Sequence, residues 1–338
     1  WNPDLLLSQN YICHLACIKK DLIEDAGGFR VGYEGSQDWD LFLRVTEKLK
    51  PDKISHIPEI LYHWRSYSAS TASSLKNKEY AIGAAQKSLN DYLVRNKIKG
   101  KISKLNERAN YWKIKYDIPQ KTPQVSIIIP TKDKKEILKV CVDSILSKTN
   151  YSNYEILIVD NDTTDPESMV YLQNLDKKNI IQVIKNFGKF NYSRLNNNAA
   201  KHAKGEVLLL LNNDIEVVSE DWLEIMVSHA IRPDIGCVGA KLLYPNSTIQ
   251  HAGVVLGIGG VAGHPYKGFP ADSTGQFSRL LATQNFEAVT GACLAVKKSI
   301  FEEVGGLNEK DLKVAFNDVD FCLRVRELGY NNILDPSV

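Results

Sequence analysis

Three short apolar runs in this chain each end in a polar cluster that could do chemistry. Val125-Ser126-Ile127-Ile128-Ile129 stops at Pro130 and leads into Thr131-Lys132-Asp133. Glu155 to Val159 ends at Asp160-Asn161-Asp162, and Val207-Leu208-Leu209-Leu210-Leu211 ends at Asn212-Asn213-Asp214. A carboxylate such as Asp214 suits a hard divalent cation, which in turn holds phosphate oxygens. Asn and Asp are also ordinary turn residues, so any one cluster alone reads equally as the end of a strand. Their number and repetition favour a site.

The elements that must position these clusters follow from periodicity. Unbroken apolar runs of about five residues read as strands buried on both faces. Between them lie helical patterns at Glu136 to Leu146, near Glu167 to Leu175, and from Tyr192 to Ala203, with a further strand at Ile180 to Ile184. This βαβαβαβ order predicts a largely parallel sheet with right-handed crossovers, hence an α/β fold. Parallel strands put their carboxyl ends on one edge, where ligands of open α/β sheets gather. Beyond Asp214 the pattern predicts a helix at Trp222 to Ala230, with Trp222 in the core, and one or two strands in Ile235 to Leu243. Gln250 to Gly263 is apolar and Gly-rich, residues 265–280 read as a mobile loop, Phe286 to Val296 reads as a strand interrupted at Gly291, and a last strand spans Asn332 to Leu334.

Bulk properties narrow the field. At 338 residues the chain is long enough for two domains. Lys+Arg is 42 and Asp+Glu is 40, a near balance that gives nucleic acid no support as a partner. No apolar run reaches the roughly 18 residues of a membrane span. The start, Trp1-Asn2-Pro3-Asp4, resembles neither a signal peptide nor an initiator Met, so the sequence is expected to be a piece of something longer. Of the six cysteines, four sit in apolar segments and read as small buried hydrophobes. Cys13-His14 with Cys17 lacks a second ligand pair at zinc spacing, and reduced thiols in the cytosol are the default.

One pattern occurs twice. A segment ending in Lys19-Lys20, a short helix to Ala26, Gly27-Gly28 and Asp38-Trp39-Asp40-Leu41-Phe42-Leu43-Arg44-Val45 returns downstream. There it is Lys297-Lys298, a helix to Val304, Gly305-Gly306 and Asp318-Val319-Asp320-Phe321-Cys322-Leu323-Arg324-Val325. The separation is far too long for a solenoid, so the repeat predicts two copies of one domain, the first represented only by its C-terminal part. Residues 76–118, rich in Lys and Asn with helical spacing at Tyr80, Ala84, Leu89 and Leu93, read as a closing helix and then a linker ending at Pro119 and Pro123.

These motifs, taken in order, resemble the family 2 glycosyltransferases, inverting enzymes of the GT-A fold. The resemblance covers nearly all of 124–338. It is carried by Val125 to Thr131, Val159-Asp160-Asn161, Leu211-Asn212-Asn213-Asp214, Val289-Thr290-Gly291-Ala292 and Asn317-Asp318. Residues 1–75 look like the acceptor half of a second such domain, and 76–123 would join the two. The tandem arrangement and the segment from His251 to Pro270 look like bacterial proteins that build O-antigen or rhamnan-type surface polysaccharides.

The resemblance implies a donor that is a nucleotide-diphosphate sugar (UDP, dTDP or GDP), a Mn²⁺ or Mg²⁺ ion, and a glycan or lipid-linked glycan acceptor. Thr131, Asp133, Asp160, Asn161, Asn213 and Asp214 would contact the donor, with Asp214 on the metal, and Lys189, in the flexible spot Asn186-Phe187-Gly188-Lys189 before a helix, could touch its phosphate. Asp318 would be the catalytic base, and His264 and Asn317 would touch the acceptor. The family's two-carboxylate DxD motif is reduced here to Asn212-Asn213-Asp214, which leaves one carboxylate for the metal. A lipid-linked acceptor would place the protein at the cytoplasmic face of a membrane, in peripheral contact with it. Asp38 occupies the base position of the first copy, and His63 resembles the fold's late metal-binding histidine.

Inverting transfer asks for these residue types. A base takes the acceptor proton on the face opposite the leaving diphosphate, and a carboxylate with a reference pKa of about 3.9 is ionised at neutral pH. Other readings stand beside this one. Asp318 and Asp320 suit the first turn of any helix, Lys189 suits solvent as well as phosphate, and His251 reads as structural. Two rival functions are a degenerate scaffold or glycan-binding module and a sugar nucleotidyltransferase. The latter fits poorly because Thr131-Lys132-Asp133-Lys134 has no glycine for a phosphate loop.

Overall fold

The structure, a computed structural model, describes residues 1–63, 79–105 and 110–338. Residues 64–75 of the expected first domain and 76–78 of the expected closing helix lie outside the described residues. The contacts divide the chain into two units, Trp1–Asp117 with Ala282–Gln284, and Ile118–Leu281 with Asn285–Val338.

The first unit contains helices α1 (Pro3–Ser8), α2 (Lys20–Asp25), α3 (Gln37–Thr46) and α4 (Glu79–Arg95), then strands β1 (Gly100–Lys104) and β2 (Trp112–Tyr116). β1 and β2 pair antiparallel in full register, from Gly100 with Tyr116 to Lys104 with Trp112. The sequence predicts a linker here, and the structure corrects it. Trp112, Ile114 and Tyr116 alternate with lysines, and this period-two face packs with Leu89 and Leu93 of α4 and with Trp39 and Leu43 of α3. The lysines that suggest a linker occupy the other face of the strand.

The second unit continues with β3 (Val125–Thr131), α5 (Lys135–Lys148), β4 (Tyr154–Asp160), α6 (Pro166–Leu175), β5 (Ile181–Lys185), α7 (Tyr192–His202), β6 (Val207–Leu211), α8 (Trp222–Ala230) and β7 (Ile235–Ala240). Short strands follow at β8 (Leu242–Leu243), β9 (Ile249–His251), β10 (Val255–Leu256) and β11 (Ala262–Gly263). The unit closes with β12 (Gln284–Phe286), β13 (Cys293–Lys297), α9 (Lys298–Glu303), α10 (Asn317–Glu327) and β14 (Asn331–Asp335). Eight strands form one sheet in the order β12-β14-β7-β13-β6-β3-β4-β5. β5, β4, β3 and β6 are mutually parallel, and β13 runs antiparallel to both β6 and β7. The sheet is therefore mixed and mostly parallel. The single strand expected over Phe286 to Val296 is two strands that sit apart in the sheet, because residues 287–292 leave it as a loop.

Burial explains the unbroken apolar runs. Alternate residues Val125, Ile127 and Ile129 pack with Leu138, Val142 and Ile145 of α5 and with Trp222 and Met226 of α8. Ile128, Leu208 and Leu210 face the other way, onto Leu195 and Ala199 of α7 and Phe321 and Val325 of α10. Helices on both faces leave no solvent side for polar residues to occupy. Cys141, Cys237, Cys293 and Cys322 are buried in these layers, whereas Cys13 and Cys17 are exposed.

The sequence repeat is also a repeat of local geometry. After α2, Gly27 and Gly28 donate to the carbonyls of Glu24 and Ile23 at 2.9 and 2.8 Å; after α9, Gly305 and Gly306 donate to those of Glu302 and Phe301 at 3.0 and 2.8 Å. Arg44 pairs with Asp40 and donates to the carbonyls of Ala26 and Gly28. Arg324 pairs with Asp320 and donates to those of Val304 and Gly306. In both places an arginine on the following helix clamps the glycine turn, which fixes where that helix begins. Asp320 and Asp40 are thereby occupied as clamp partners.

Candidate active site

The strand order reverses direction of growth at β3, from which β4 and β5 extend on one side and β6 on the other. Carboxyl ends of parallel strands at such a switch point leave a crevice. The register places Thr131 opposite Asp160, so these two clusters are adjacent by construction. Asn213 donates from Nδ2 to Thr131 Oγ1 at 3.1 Å, which brings in the third. All three polar clusters read from the sequence thus meet at one edge.

The walls of this crevice are tied by short loop contacts. Asp160 accepts the Thr163 amide at 2.9 Å, and Asn161 donates to the Gly188 carbonyl at 3.0 Å, next to the exposed Lys189. Asn161 is almost fully buried, yet its Oδ1 has no hydrogen-bond partner. Asp133, in left-handed backbone geometry, accepts the amides of Thr164 and Asp165 through one oxygen at 2.8 and 2.9 Å. The amides of Asp165 and Thr164 hold its carboxyl below the usual carboxylate range. Asp133 therefore braces the β3 loop to the β4 loop. Asp214 lies one residue beyond Asn213, exposed, with no hydrogen bond or ion pair to a described side chain.

β13 enters the sheet from this same edge, since Cys293 stands opposite Leu211. The loop before it, Val289 to Ala292, is bound to the third cluster: the Asn212 amide donates to the Ala292 carbonyl at 3.0 Å. Asp318, in the first turn of α10, accepts the Gly291 amide through Oδ2 at 2.9 Å and its neighbour Val319's amide through Oδ1 at 2.9 Å. Tyr192 Oη donates to the Gly291 carbonyl at 2.7 Å. Burial pushes the Tyr192 hydroxyl well up, and the charges of Asp318 and Asp214 push it further. Gly291 allows a close approach here, since a Cβ would lie 3.3 Å from Tyr192 Oη and 3.4 Å from the Asp318 Cβ, a fit that needs a small shift of one of them.

Asn317 is buried, and its Nδ2 has no hydrogen-bond partner beside Asp318. His264 reaches the cleft through His251, the two Nδ1 atoms being 2.8 Å apart. His251 Nε2 accepts the Gly253 amide at 3.3 Å and the Thr290 amide at 3.5 Å, so its proton sits on Nδ1 and points to His264. Burial, with His264 beside it, pushes His251 down to about 3, which keeps it neutral. Burial also lowers His264, against the opposing charge of Asp318. His63 of the first unit is exposed. Sequence reasoning misses Tyr192 and the use of His251, because neither carries a motif and their roles arise from packing against Gly291 and Thr290.

A divalent cation fits these residues in one way. Asp214 is a single free carboxylate at the mouth of the crevice, and the described residues contain no group of three or more His, Cys, Asp or Glu arranged around a common point. Such a site suits Mg²⁺ or Mn²⁺, which bind through one or two carboxylates and complete their shell with ligand phosphates and water.

The mixed sheet thus gathers polar strand ends at one edge, and the loop that binds Asp318 is tied to the last of them. Residues 126–305 match the family model described as Glycosyl transferase family 2. The chain belongs to that family. It is 44% identical over 99% of its length to the uncharacterized protein y4gI of Sinorhizobium fredii, covering 37% of that protein. It is 39% identical over 97% of its length to the O-antigen biosynthesis protein RfbC of Myxococcus xanthus, covering 25% of that protein. The chain therefore spans between a quarter and about two fifths of the length of these relatives. Its fold is similar to the mannosyltransferase PcManGT of Pyrobaculum calidifontis in complex with GDP-Man and Mn²⁺, at a TM-score of 0.50 and 17% identity over 76% of this chain and 64% of that one.

Proposed function

We propose that the second unit transfers a sugar, with inversion, from a nucleotide-diphosphate donor to a glycan in the building of a bacterial surface polysaccharide. The observation that carries this reading is the hydrogen bond from Asn212 to Ala292. It joins the strand end bearing Asp214 to the loop that holds Asp318, so one cleft has a donor wall and an acceptor wall. Thr131, Asp160, Asn161 and Asn213 line the nucleotide side, where the unpaired Asn161 Oδ1 offers a base an acceptor atom. Asp133 and Lys189 lie at its rim. A Mn²⁺ or Mg²⁺ ion held by Asp214 supplies charge neutralisation for the leaving diphosphate when bound. Its inclusion draws support from the Mn²⁺ of the Pyrobaculum calidifontis mannosyltransferase structure.

On the acceptor side, Asp318 takes the proton of the attacking hydroxyl as that oxygen bonds to the anomeric carbon and the bond to the diphosphate breaks. Two amides fix the rotamer of the carboxylate, and each of its oxygens keeps a further lone pair for the hydroxyl. Asn317 Nδ2 and His264 hold neighbouring acceptor oxygens. The repeated clamp geometry of Arg44 and Arg324 supports a further proposal, that residues 1–75 are the acceptor part of another GT-A copy, with Asp38 at the base position. In this reading residues 124–338 are the second domain. The acceptor is lipid-linked, and the protein works at the cytoplasmic face of a membrane. No helix among the described residues is long and apolar enough to cross one.

The test is thermal stability against UDP, dTDP and GDP, each with and without Mn²⁺, followed by donor turnover. Native-state binding raises stability by about 2.7 kcal/mol at one hundred times the dissociation constant. A metal-dependent shift with one nucleotide supports the donor site and identifies its base. The single carboxylate of Asn212-Asn213-Asp214 favours a second reading, a catalytically silent glycan-binding module. Absence of a shift and of turnover with every nucleotide would select that reading.

A further inference from the structure

The start of α7 has a composition that helix stability does not explain. From Asn191 to Asn198 the sequence runs Asn-Tyr-Ser-Arg-Leu-Asn-Asn-Asn. Asn and Ser are poor formers of a helix interior, because their side chains compete for backbone groups. Ser193 and Asn196 are nevertheless fully buried, and Asn191 nearly so. Buried polar groups cost stability unless they are bonded, and their partners account for the sequence. Asn191 caps the helix through Oδ1, which accepts the Arg194 amide at 3.0 Å, and its Nδ2 donates to the Glu309 carbonyl at 2.8 Å. Ser193 Oγ donates to the Leu312 carbonyl at 2.6 Å, and Asn197 exchanges two bonds with the backbone of Leu307 at 2.8 and 2.9 Å. The Tyr192 amide, which has no partner within the helix so near its start, donates to the Lys313 carbonyl at 2.7 Å. All these partners lie between α9 and α10, in a stretch with no helix or strand of its own that leads directly into Asn317-Asp318.

Tyr192 extends this attachment to the carboxylate itself. Its hydroxyl donates to the Gly291 carbonyl at 2.7 Å, and the Gly291 amide donates to Asp318 Oδ2 at 2.9 Å. Burial pushes the hydroxyl well up, so it stays protonated and donating at every working pH. The Asp318 carboxylate accepts two amides, those of Gly291 and Val319. Val319 belongs to the same helical turn and moves with it. Gly291 lies outside α10, so of the two it is the one that fixes where the carboxylate stands in the unit. Tyr192 thus reaches Asp318 by two routes that share no bond, through Gly291 to the carboxylate and through Lys313 to the stretch that starts its helix. A small displacement of a reacting group costs rate without costing substrate binding.

We propose that Tyr192 is a positioning residue, which sets the Asp318 carboxylate through Gly291 while the turn that carries it holds the approach to α10. Its part in the rate rests on the proposed glycosyl transfer with Asp318 as base, but the linkage itself does not. The expected effect is one-sided. Turnover depends on the hydroxyl, whereas donor binding does not, since Thr131, Asp160 and Asn213 are joined by bonds of their own.

Tyr192→Phe tests it, because it removes the hydroxyl and leaves the ring in place. Hydrogen exchange of the chain without donor or acceptor reads the linkage: peptides covering 289–292 and 313–319 exchange about tenfold faster or more in the variant, while those of β3 and β6 do not change. Nucleoside-diphosphate release with acceptor and Mn²⁺ reads the role: kcat falls by about fivefold to twentyfold, and donor KM stays within about twofold of wild type. Ser228→Ala is the control for a purely structural loss. It removes a buried hydroxyl bonded to the Ile225 carbonyl at 2.8 Å on α8, across the sheet from α7 and α10, and leaves kcat at the wild-type value. Tyr192→Phe added to Asp318→Asn lowers kcat no further, since a residue that acts through Asp318 then has no base left to position. Exchange unmoved by Tyr192→Phe, an undiminished kcat, an equal fall in Ser228→Ala, or losses that multiply in the double variant overturns the proposal. A wild type that releases no nucleoside diphosphate refutes the transfer reading and, with exchange raised as expected, leaves the linkage standing.

Discussion

Replacing Asp318 separates its chemistry from its structural contacts. The carboxylate accepts two backbone amides, Gly291 at 2.9 Å and Val319 at 2.9 Å. Asp318→Ala orphans both, and at about 1 kcal/mol for each hydrogen bond the expected loss of stability is roughly 1–2 kcal/mol, the half-exposed setting allowing water to recover part of it. Asp318→Asn keeps one carbonyl oxygen and the same shape, so it retains one of the two bonds and loses about half as much. Catalysis responds differently. An amide cannot take a proton at neutral pH, and a positioned general base contributes about 10²–10⁴ in rate, or roughly 2.7–5.4 kcal/mol of barrier. Both variants should therefore fall by that factor in nucleoside-diphosphate release measured with acceptor present, while their thermal midpoints differ from each other. A variant Asp318→Asn that keeps activity within about fivefold of wild type, at a native midpoint, would refute the assignment of the base.

Other consequences are equally accessible. Gly291→Ala places a methyl 3.3 Å from Tyr192 Oη and 3.4 Å from Asp318 Cβ, and a shift of a few tenths of an ångström should cut kcat by about threefold to tenfold with little change in midpoint. Arg44→Ala leaves the buried Asp40 carboxylate with Arg30 alone and should cost about 3 kcal/mol or more by denaturant titration, well above Arg324→Ala, whose pair is partly exposed. Burial opposes ionisation of Asp40, but bonds from Arg30 and Arg44 outweigh it and lower its folded pKa. Its contribution is thus present above the unfolded value and lost as pH falls through the folded one, so Asp40→Asn should flatten the acid limb of the stability profile. His251, pushed down to about 3 by burial, runs by a related rule: the unfolded state takes up its proton first as pH falls below about 6.5. Stability should decline from there toward pH 3, and His251→Gln should remove that slope in pH-dependent thermal melts. Thiol titration in native buffer should show Cys17 reacting first and Cys13 more slowly, since burial and then Asp38 raise Cys13. The four buried cysteines should react only on unfolding.

Much of the second unit was legible in the sequence. A strand buried on both faces must be apolar at every position, so β3, β4 and β6 announce themselves as unbroken runs, and their ends fall where the polar clusters begin. Parallel order then forces those clusters to one edge, where Thr131, Asp160 and Asn213 meet. The repeat was legible for a related reason: an Asp-x-x-x-Arg pair one helical turn apart, following a double glycine, is a local device that folds the same way wherever it occurs. What remained hidden was set by contacts distant in sequence. Trp112, Ile114 and Tyr116 form a strand only because α3 and α4 offer a surface for one face of it, and their lysine neighbours conceal the alternation. Tyr192 and Gly291 are 99 positions apart, and His251 meets Thr290 across 39. No periodicity links such pairs, because the loop from Val289 to Ala292 takes its place from the register of β13 against β6. The sequence by itself determined the α/β class and the edge where the polar clusters meet, since these follow from local burial and strand direction. Only the tertiary structure decided that the loop binding Asp318 is tied to the strand end at Asn212, since that depends on how distant segments pack.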